Sequence, residues 1–160
     1  MAVSSEEFRH ALGRFASGVT VVTVADERGE ATGLTVSAFS SVSLNPPLVL
    51  VCIDNRSTSI PVIESVGSFA VNVLTKDQAH LSNRFASRDV NKFDGVAWSK
   101  GSLGMPLLSG ALAQLECTLA KTVDAGDHTL FIGQVEATNV EDSEQPLLYF
   151  NGNYGNFVHQ

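Results

Sequence analysis

The sequence predicts a mainly β protein whose short antiparallel strands close, or partly close, into a barrel flanked by two or three short helices. Three observations carry that expectation. About six segments have strand composition or strand alternation. Neighbouring segments are joined by tight turns or by helices too short for a doubly wound sheet. No GxGxxG follows a strand, as a dinucleotide-binding sheet would require.

A helix opens the chain. Ser4 and Glu7 stand at capping-box spacing, and Phe8, Ala11, Leu12 and Phe15 fall on one helical face before Gly18 breaks the pattern. Residues 19–25 (VTVVTVA) are β-branched and predict a strand, ended by a turn at Glu27-Arg28-Gly29. Residues 31–44 (ATGLTVSAFSSVSL) predict a strand with two unlike faces. Val36, Ala38, Val42 and Leu44 suit a core. Thr35, Ser37, Phe39, Ser41 and Ser43 form a row of hydroxyls around an aromatic ring. Asn45-Pro46-Pro47 ends the strand, because proline cannot donate to a ladder.

The continuous apolar run 48–54 (LVLVCID) predicts a strand buried on both faces. Asn55 to Ser59 leads into a short helix reaching about Val66, closed by Gly67. A strand over 69–74 follows, then a helix near 76–87 signalled by Thr75 and Gln78 at capping-box spacing. Residues 88–110 are rich in Gly, Ser, Asp and Pro and predict a long loop. Residues 111–123 alternate, with Ala111, Ala113, Leu115, Cys117 and Leu119 on one face and Gln114, Glu116, Thr118 and Thr122 on the other. A turn at Asp124-Ala125-Gly126-Asp127 returns the chain as a second hairpin arm over 128–138. Pro146 precedes a last extended segment, LLYFNGNYGNF.

The 160 residues fit one domain over 1–160, with no internal repeat or linker. A net charge of −7 argues against nucleic acid as a partner, since tracking phosphates needs the opposite sign. The N-terminus lacks a signal's apolar core, and no apolar run reaches the ~18 residues that span a bilayer, so no membrane association and a cytoplasmic location are expected. Cys52 and Cys117 lie in apolar runs, as reduced buried thiols do. The four histidines show no ligand spacing, and no metal is expected.

Two patterns could carry chemistry. Strand main-chain groups with short hydroxyls at Thr35, Ser37, Ser41 and Ser43 would suit a planar, heteroatom-rich ring, although a solvated strand face carries the same residues. Arg56-Ser57-Thr58-Ser59 opens a helix, whose free N–H groups favour an anion. Arg84 and Arg88, with Lys92 beyond, would share a helical face if the helix runs that far, as a phosphate site or as ordinary surface charge. His128, after Gly126-Asp127 at a hairpin base, could donate to an amide or phosphate, or be structural. No serine, histidine and carboxylate set is spaced for hydrolysis.

The segments FRHALGRFASGVTVVTV (8–24), GLTVSAFSSVSLNPPLVLVCID (33–54), FAVNVLTKDQAHLSNRFAS (69–87), KFDGVAW (92–98), GDHTLFIGQVE (126–136) and LLYFNGNY (147–154) closely resemble the flavin reductase domain family. This family includes the short-chain reductase components of two-component flavin monooxygenases. The resemblance implies an FMN-binding split β-barrel with a Greek-key antiparallel core and short flanking helices, assembled as a homodimer. It implies reduction of FMN or FAD by NADH or NADPH, with hydride passing from nicotinamide C4 to flavin N5, and delivery of reduced flavin to a separate monooxygenase.

Carried over by position, Thr35, Ser37, Ala38, Phe39, Ser40, Ser41, Ser43 and Leu44 match the wall along the flavin ring and ribityl chain, with Cys52, Ile53 and Asp54 on the next strand. Ser57, Thr58, Ser59, Arg84 and Phe85 match the flavin-phosphate contacts. His128 matches the nicotinamide position, the one residue assigned a catalytic role by the resemblance. Tyr149, Phe150, Asn151, Gly152 and Tyr154 match the segment lining the nicotinamide side. Asn151 stands where several relatives carry arginine, which leaves NADH against NADPH open. A pyridoxamine-phosphate-oxidase-like flavoenzyme would share the fold, but the GDH hairpin and the missing substrate-phosphate arginines argue against it. A non-enzymatic flavin or haem binder, or a dimerisation module, would share it too.

Overall fold

The structure is a computed structural model and describes residues 2–160. The chain runs α1 (Ser5–Leu12), β1 (Ser17–Gly18), β2 (Thr20–Ala25), β3 (Ala31–Val36), β4 (Phe39–Leu44), β5 (Pro47–Asp54), α2 (Ser59–Val66), β6 (Ser68–Val73), α3 (Ala79–Ala86), β7 (Trp98–Lys100), β8 (Pro106–Leu108), β9 (Ala113–Ala125), β10 (His128–Val140), β11 (Leu148–Phe150) and β12 (Asn153–Gly155). Seven strands form one antiparallel sheet in the order β3-β2-β6-β9-β10-β5-β4.

The two ends of that order, β3 and β4, are joined by Ser37 and Ala38 alone. Laid flat, seven strands at ~4.7 Å spacing would hold their outer members roughly 28 Å apart. The three peptide steps from Val36 to Phe39 reach only ~10 Å. The sheet therefore curls until its edges approach, and the Cys52 N–H, donating to the Ala38 carbonyl at 3.0 Å, extends the β4–β5 ladder up to that link. The mainly β, barrel-type expectation holds.

The link also corrects the sequence reading of 31–44. These residues are two strands at opposite ends of the order, not one. Val36 is buried, but Val42 is exposed and Leu44 is 92% exposed, while Phe39 packs on the core from the expected hydroxyl face. The break at 37–38 and the register shift between Ser41 and Ser43 each reset the alternation. β5 is buried on one face only: Val49, Val51 and Ile53 point inward, whereas Leu48, Leu50, Cys52 and Asp54 are half-buried. An apolar run does not distinguish these cases.

The barrel interior is filled by Val22, Val24, Val51, Ile53, Phe69, Val71 and Phe131. A second cluster, with Val21, Leu74, Phe85 and Leu108, lies under α3. Residues 88–110 are not a bare loop. They contain the β7–β8 hairpin and bury Met105, Leu107 and Leu108. Polar anchors hold them: Leu108 N–H donates to Asn72 Oδ1 at 2.9 Å, and Glu116 accepts from the Ser102 and Leu103 N–H groups at 2.8 and 2.7 Å. Glu116 sits at 3% exposure rather than on an outer face, because those two amides compensate its carboxylate.

At the N-terminus the capping box of Ser4 and Glu7 forms, and the helix ends at Leu12 with Gly13 as its cap rather than near Gly18. Its apolar face is uncovered, with Phe8, Leu12 and Phe15 all exposed. The last segment is a hairpin, β11–β12, turning on Asn151 and Gly152 at φ 50 and 79. Asn-Gly is the pair that tolerates two left-handed residues in succession.

Candidate active site

Part of the sequence-predicted set meets at the C-terminal end of β5. Its neighbours there are β4, with Phe39 opposite Val51, and β10, with His128 opposite Asp54, Thr129 opposite Ile53 and Leu130 opposite Cys52. This corner at the C-terminal end of β5 thus gathers Ser37 to Ser40, Cys52 to Asp54 and His128, while Ser41, Ser43 and Leu44 run on along β4 to pair with Val49, Leu48 and Pro47 toward the other end of β5.

The segment after β5 is stitched to the β9–β10 turn. Asn55 N–H donates to the Asp127 carbonyl at 3.0 Å, and Asn55 Oδ1 accepts from Thr129 Oγ1 at 2.7 Å. This places Ser57, Thr58 and Ser59 beside the same corner. Ser59 is buried, with its Oγ 3.5 Å from Thr32 Oγ1 on β3. Thr58 begins α2 with its hydroxyl uncommitted.

Charge at the corner is organised in two pairs. Arg56 Nε and Nη2 donate to the two Asp54 oxygens at 3.0 and 2.6 Å, and these bonds hold the Asp54 carboxyl well below the usual carboxylate range. His128 Nδ1 lies 2.7 Å from Asp127 Oδ1, and this hydrogen bond lowers the Asp127 carboxyl in turn. With the carboxylate accepting, Nδ1 carries the proton and Nε2 is left for a ligand.

The hydroxyl row is largely free. β4 is an edge strand, and among the described residues no hydrogen bond engages the hydroxyls of Ser37, Ser41 or Ser43. Ser40 Oγ donates to the Ser41 carbonyl at 2.9 Å. Thr35 belongs elsewhere: its hydroxyl donates to the Ser82 carbonyl on α3 at 2.6 Å.

The helix bearing Arg84 ends at Ala86, so Arg84 and Arg88 do not share its face. Arg84 instead donates to the carbonyls of Asn91, Lys92 and Asp94, and Lys92 Nζ donates to those of Gly33 and Phe85. Carbonyls orient a cation without neutralising it. Arg84 and Lys92 therefore keep uncompensated charge beside β3, whereas Arg56 is paired. Phe85 is buried, its ring against Gly33.

The residues expected on the nicotinamide side form a separate group. Tyr149 and Tyr154 face each other across β11–β12 with ring centroids 5.5 Å apart. Tyr149 also pairs with Ser17 on β1, and Asn151 N–H donates to the Gly13 carbonyl at 2.9 Å. Phe150 and Gly152 are exposed in the same hairpin.

Comparison with known proteins gives this corner its setting. The flavin reductase like domain matches residues 12–157. The chain belongs to the flavin reductase like domain family. A flavin reductase of Pseudomonas putida is 42% identical over 98% of this chain and 92% of its own. A flavin-dependent monooxygenase reductase subunit, HsaB, of Rhodococcus jostii is 41% identical over 96% of this chain and 78% of its own. Among solved structures, a Streptomyces globisporus NADH:FAD oxidoreductase, SgcE6, in complex with NAD and FAD fragments superposes with a TM-score of 0.91, at 36% identity over 99% of this chain and 97% of that one.

The flavin reductase like domain fits a flavin on its own chemistry. An edge strand with free hydroxyls offers donors and acceptors to ring heteroatoms, and Arg84 and Lys92, which form no ion pair among the described residues, suit a phosphate. Reading the sequence missed Arg56 and Asp127 as partners of Asp54 and His128, and Ser82 altogether. The Asp-x-Arg spacing at 54–56 and the adjacency of Asp127 to His128 were the available signals. Ser82 gave none, because its partners lie 47 and 72 positions away.

Proposed function

We propose that this chain is an NAD(P)H:flavin oxidoreductase, acting as one domain over 1–160 and supplying reduced FMN or FAD to a separate flavin-dependent monooxygenase. The free edge of β4 facing His128 across β5, in a chain of this family, carries the reading. Bound there, the flavin would accept hydride at N5 from nicotinamide C4. The protein supplies position. Ser37 to Leu44 and Cys52 to Asp54 line the ring. Ser57, Thr58 and Ser59 with Arg84 and Phe85 hold the phosphate end, and Lys92 adds charge. His128, fixed by Asp127, orients the nicotinamide through Nε2, with Tyr149, Phe150, Asn151, Gly152 and Tyr154 on its far side. Holding reacting atoms at roughly 3–3.5 Å is the main contribution such a site makes. The half-buried Cys52 thiol, pushed up by burial, takes no chemical part.

Steady-state oxidation of NADH with FMN in large excess over protein tests the proposal. Continuous turnover is expected; one equivalent per site would mark a flavin binder. In the same assay, His128→Ala is expected to raise the KM for reduced nicotinamide about tenfold with kcat little changed, and Asp127→Asn to do so by a smaller factor. Unchanged constants in His128→Ala would remove that residue from the site.

The proposal includes a homodimer. The uncovered apolar face of α1, the exposed Val42 and Leu44, and the apolar outer side of β5 support it. Leu12→Asp with Phe15→Asp is expected to shift the protein from dimer to monomer in sedimentation, and a wild-type monomer would overturn the assignment. A cytoplasmic setting accords with two free thiols, that of Cys117 pushed up to about 12 by burial. Among the described residues no helix is long and apolar enough to cross a membrane.

A further inference from the structure

Tyr154 looks from the sequence like a ring that meets the nicotinamide, but its hydroxyl is turned into the protein. Tyr154 OH lies 2.7 Å from Ser82 Oγ and donates to Asn83 Oδ1 at 2.8 Å, both on α3. Ser82 is 2% exposed, and its carbonyl accepts from Thr35 Oγ1 at 2.6 Å. A continuous hydrogen-bonded line thus runs from the C-terminal hairpin through α3 to β3, two residues before the Ser37–Ala38 closure.

Few other contacts hold β12 in place. β11 and β12 are three residues each, and β12 pairs with β11 alone. Two-stranded ribbons of this length are marginal in water. On its other side the hairpin is tied to the chain after α1 by the two-residue β1 and by Asn151 N–H on Gly13. The Tyr149 ring packs tilted against Tyr154, with centroids 5.5 Å apart and planes at 60°, so whatever orients Tyr154 also bears on Tyr149.

We propose that Ser82 is a positioning residue for reductant binding: it anchors the Tyr154 hydroxyl as a strut, and the strut presents the Tyr149 face of the hairpin to the nicotinamide. This rests on the oxidoreductase reading. Ser82 acts through Tyr154 and touches neither the flavin nor the nicotinamide. The bond joins two neutral hydroxyls and is worth a modest amount, but its loss frees a whole hairpin rather than one side chain.

The test compares wild type, Ser82→Ala, Tyr154→Phe and the double variant by steady-state kinetics with NADH and by FMN titration. Each single variant is expected to raise the KM for NADH about fivefold to tenfold, with kcat and the FMN dissociation constant within about twofold of wild type. Because both variants remove the same Tyr154–Ser82 bond, the double variant is expected to be no worse than the worse single variant. Asn83→Ala, which leaves the Ser82 bond in place, is expected to stay within about twofold of wild type throughout. An unchanged KM in both single variants overturns the strut, as does a flavin affinity that falls in step with the KM. If wild type oxidises NADH and the variants match it, the strut alone fails. If wild type oxidises no NADH with excess FMN, the oxidoreductase reading fails and the strut with it.

Discussion

Changing Ser37, Ser41 and Ser43 together to alanine is expected to weaken FMN binding by about 30- to 100-fold while leaving the fold intact. Each hydroxyl that bonds the flavin is worth ~1 kcal/mol net, so three supply ~2–3 kcal/mol. None of the three has a partner within the described chain, and their loss strands no buried group. The melting temperature should therefore stay within about 2 °C of wild type. Thr35→Ala makes the contrast. Its hydroxyl is bound to the Ser82 carbonyl, so it should cost stability before it costs flavin affinity. Fluorescence titration with FMN, alongside thermal unfolding, reads both quantities. Triple-variant binding equal to wild type would show that β4 is only a solvated edge.

Gly133→Val is expected to be the most damaging single change to the fold. A Cβ at Gly133 would lie 2.6 Å from the Phe69 ring and 2.7 Å from Cys117 Cβ, both fully buried. Neither neighbour is a flexible tip, since Phe69 and Cys117 are themselves paired across β6 and β9. Overpacking of this kind costs about 3 kcal/mol, or roughly 10 °C in a domain of this size. The glycine also sits where the β9–β10 ladder shifts register, so the strand needs close approach there. Differential scanning calorimetry checks the shift. A Tm within 2 °C of wild type would mean the barrel interior relaxes far more than its packing implies.

The sequence patterns that translated directly into structure were local ones. Both capping boxes form, Ser4 with Glu7 and Thr75 with Gln78, because their partners are three residues apart. Gly67 closes α2 in the left-handed region, as its position after an apolar helix implies. The β9–β10 hairpin follows from clean alternation on either side of Gly126-Asp127. Misreadings arose where closure overrides alternation. Residues 31–44 keep a period of two in sequence, but the barrel joins there, and Ser37-Ala38 turns what reads as one strand into its two edges. Gly133 had no local signal either, since only Phe69 and Cys117, brought in from other strands, make it necessary.

The site divides the same way. A row of serines and the Gly126-Asp127-His128 turn can be seen in the chain, and the nearness of Ser37 to His128 across β5 follows once register is fixed. The chain shows Arg84 as a cation but not the three carbonyls of residues 91, 92 and 94 that orient it without neutralising it. The anchoring of the Tyr154 hydroxyl on Ser82 likewise cannot be seen in the chain. Side-chain commitments over long separations are set by packing, which no spacing rule encodes.

A crystal structure with FMN bound measures the central claim most directly. The ring and ribityl chain are expected along Ser37 to Leu44, with Cys52 to Asp54 of the next strand beneath, and the phosphate end toward Ser57 to Ser59. Ring density lodged instead in the cavity of about 370 Å³ between α3 and the Asp94–Ala97 segment, with β4 bare, would contradict it.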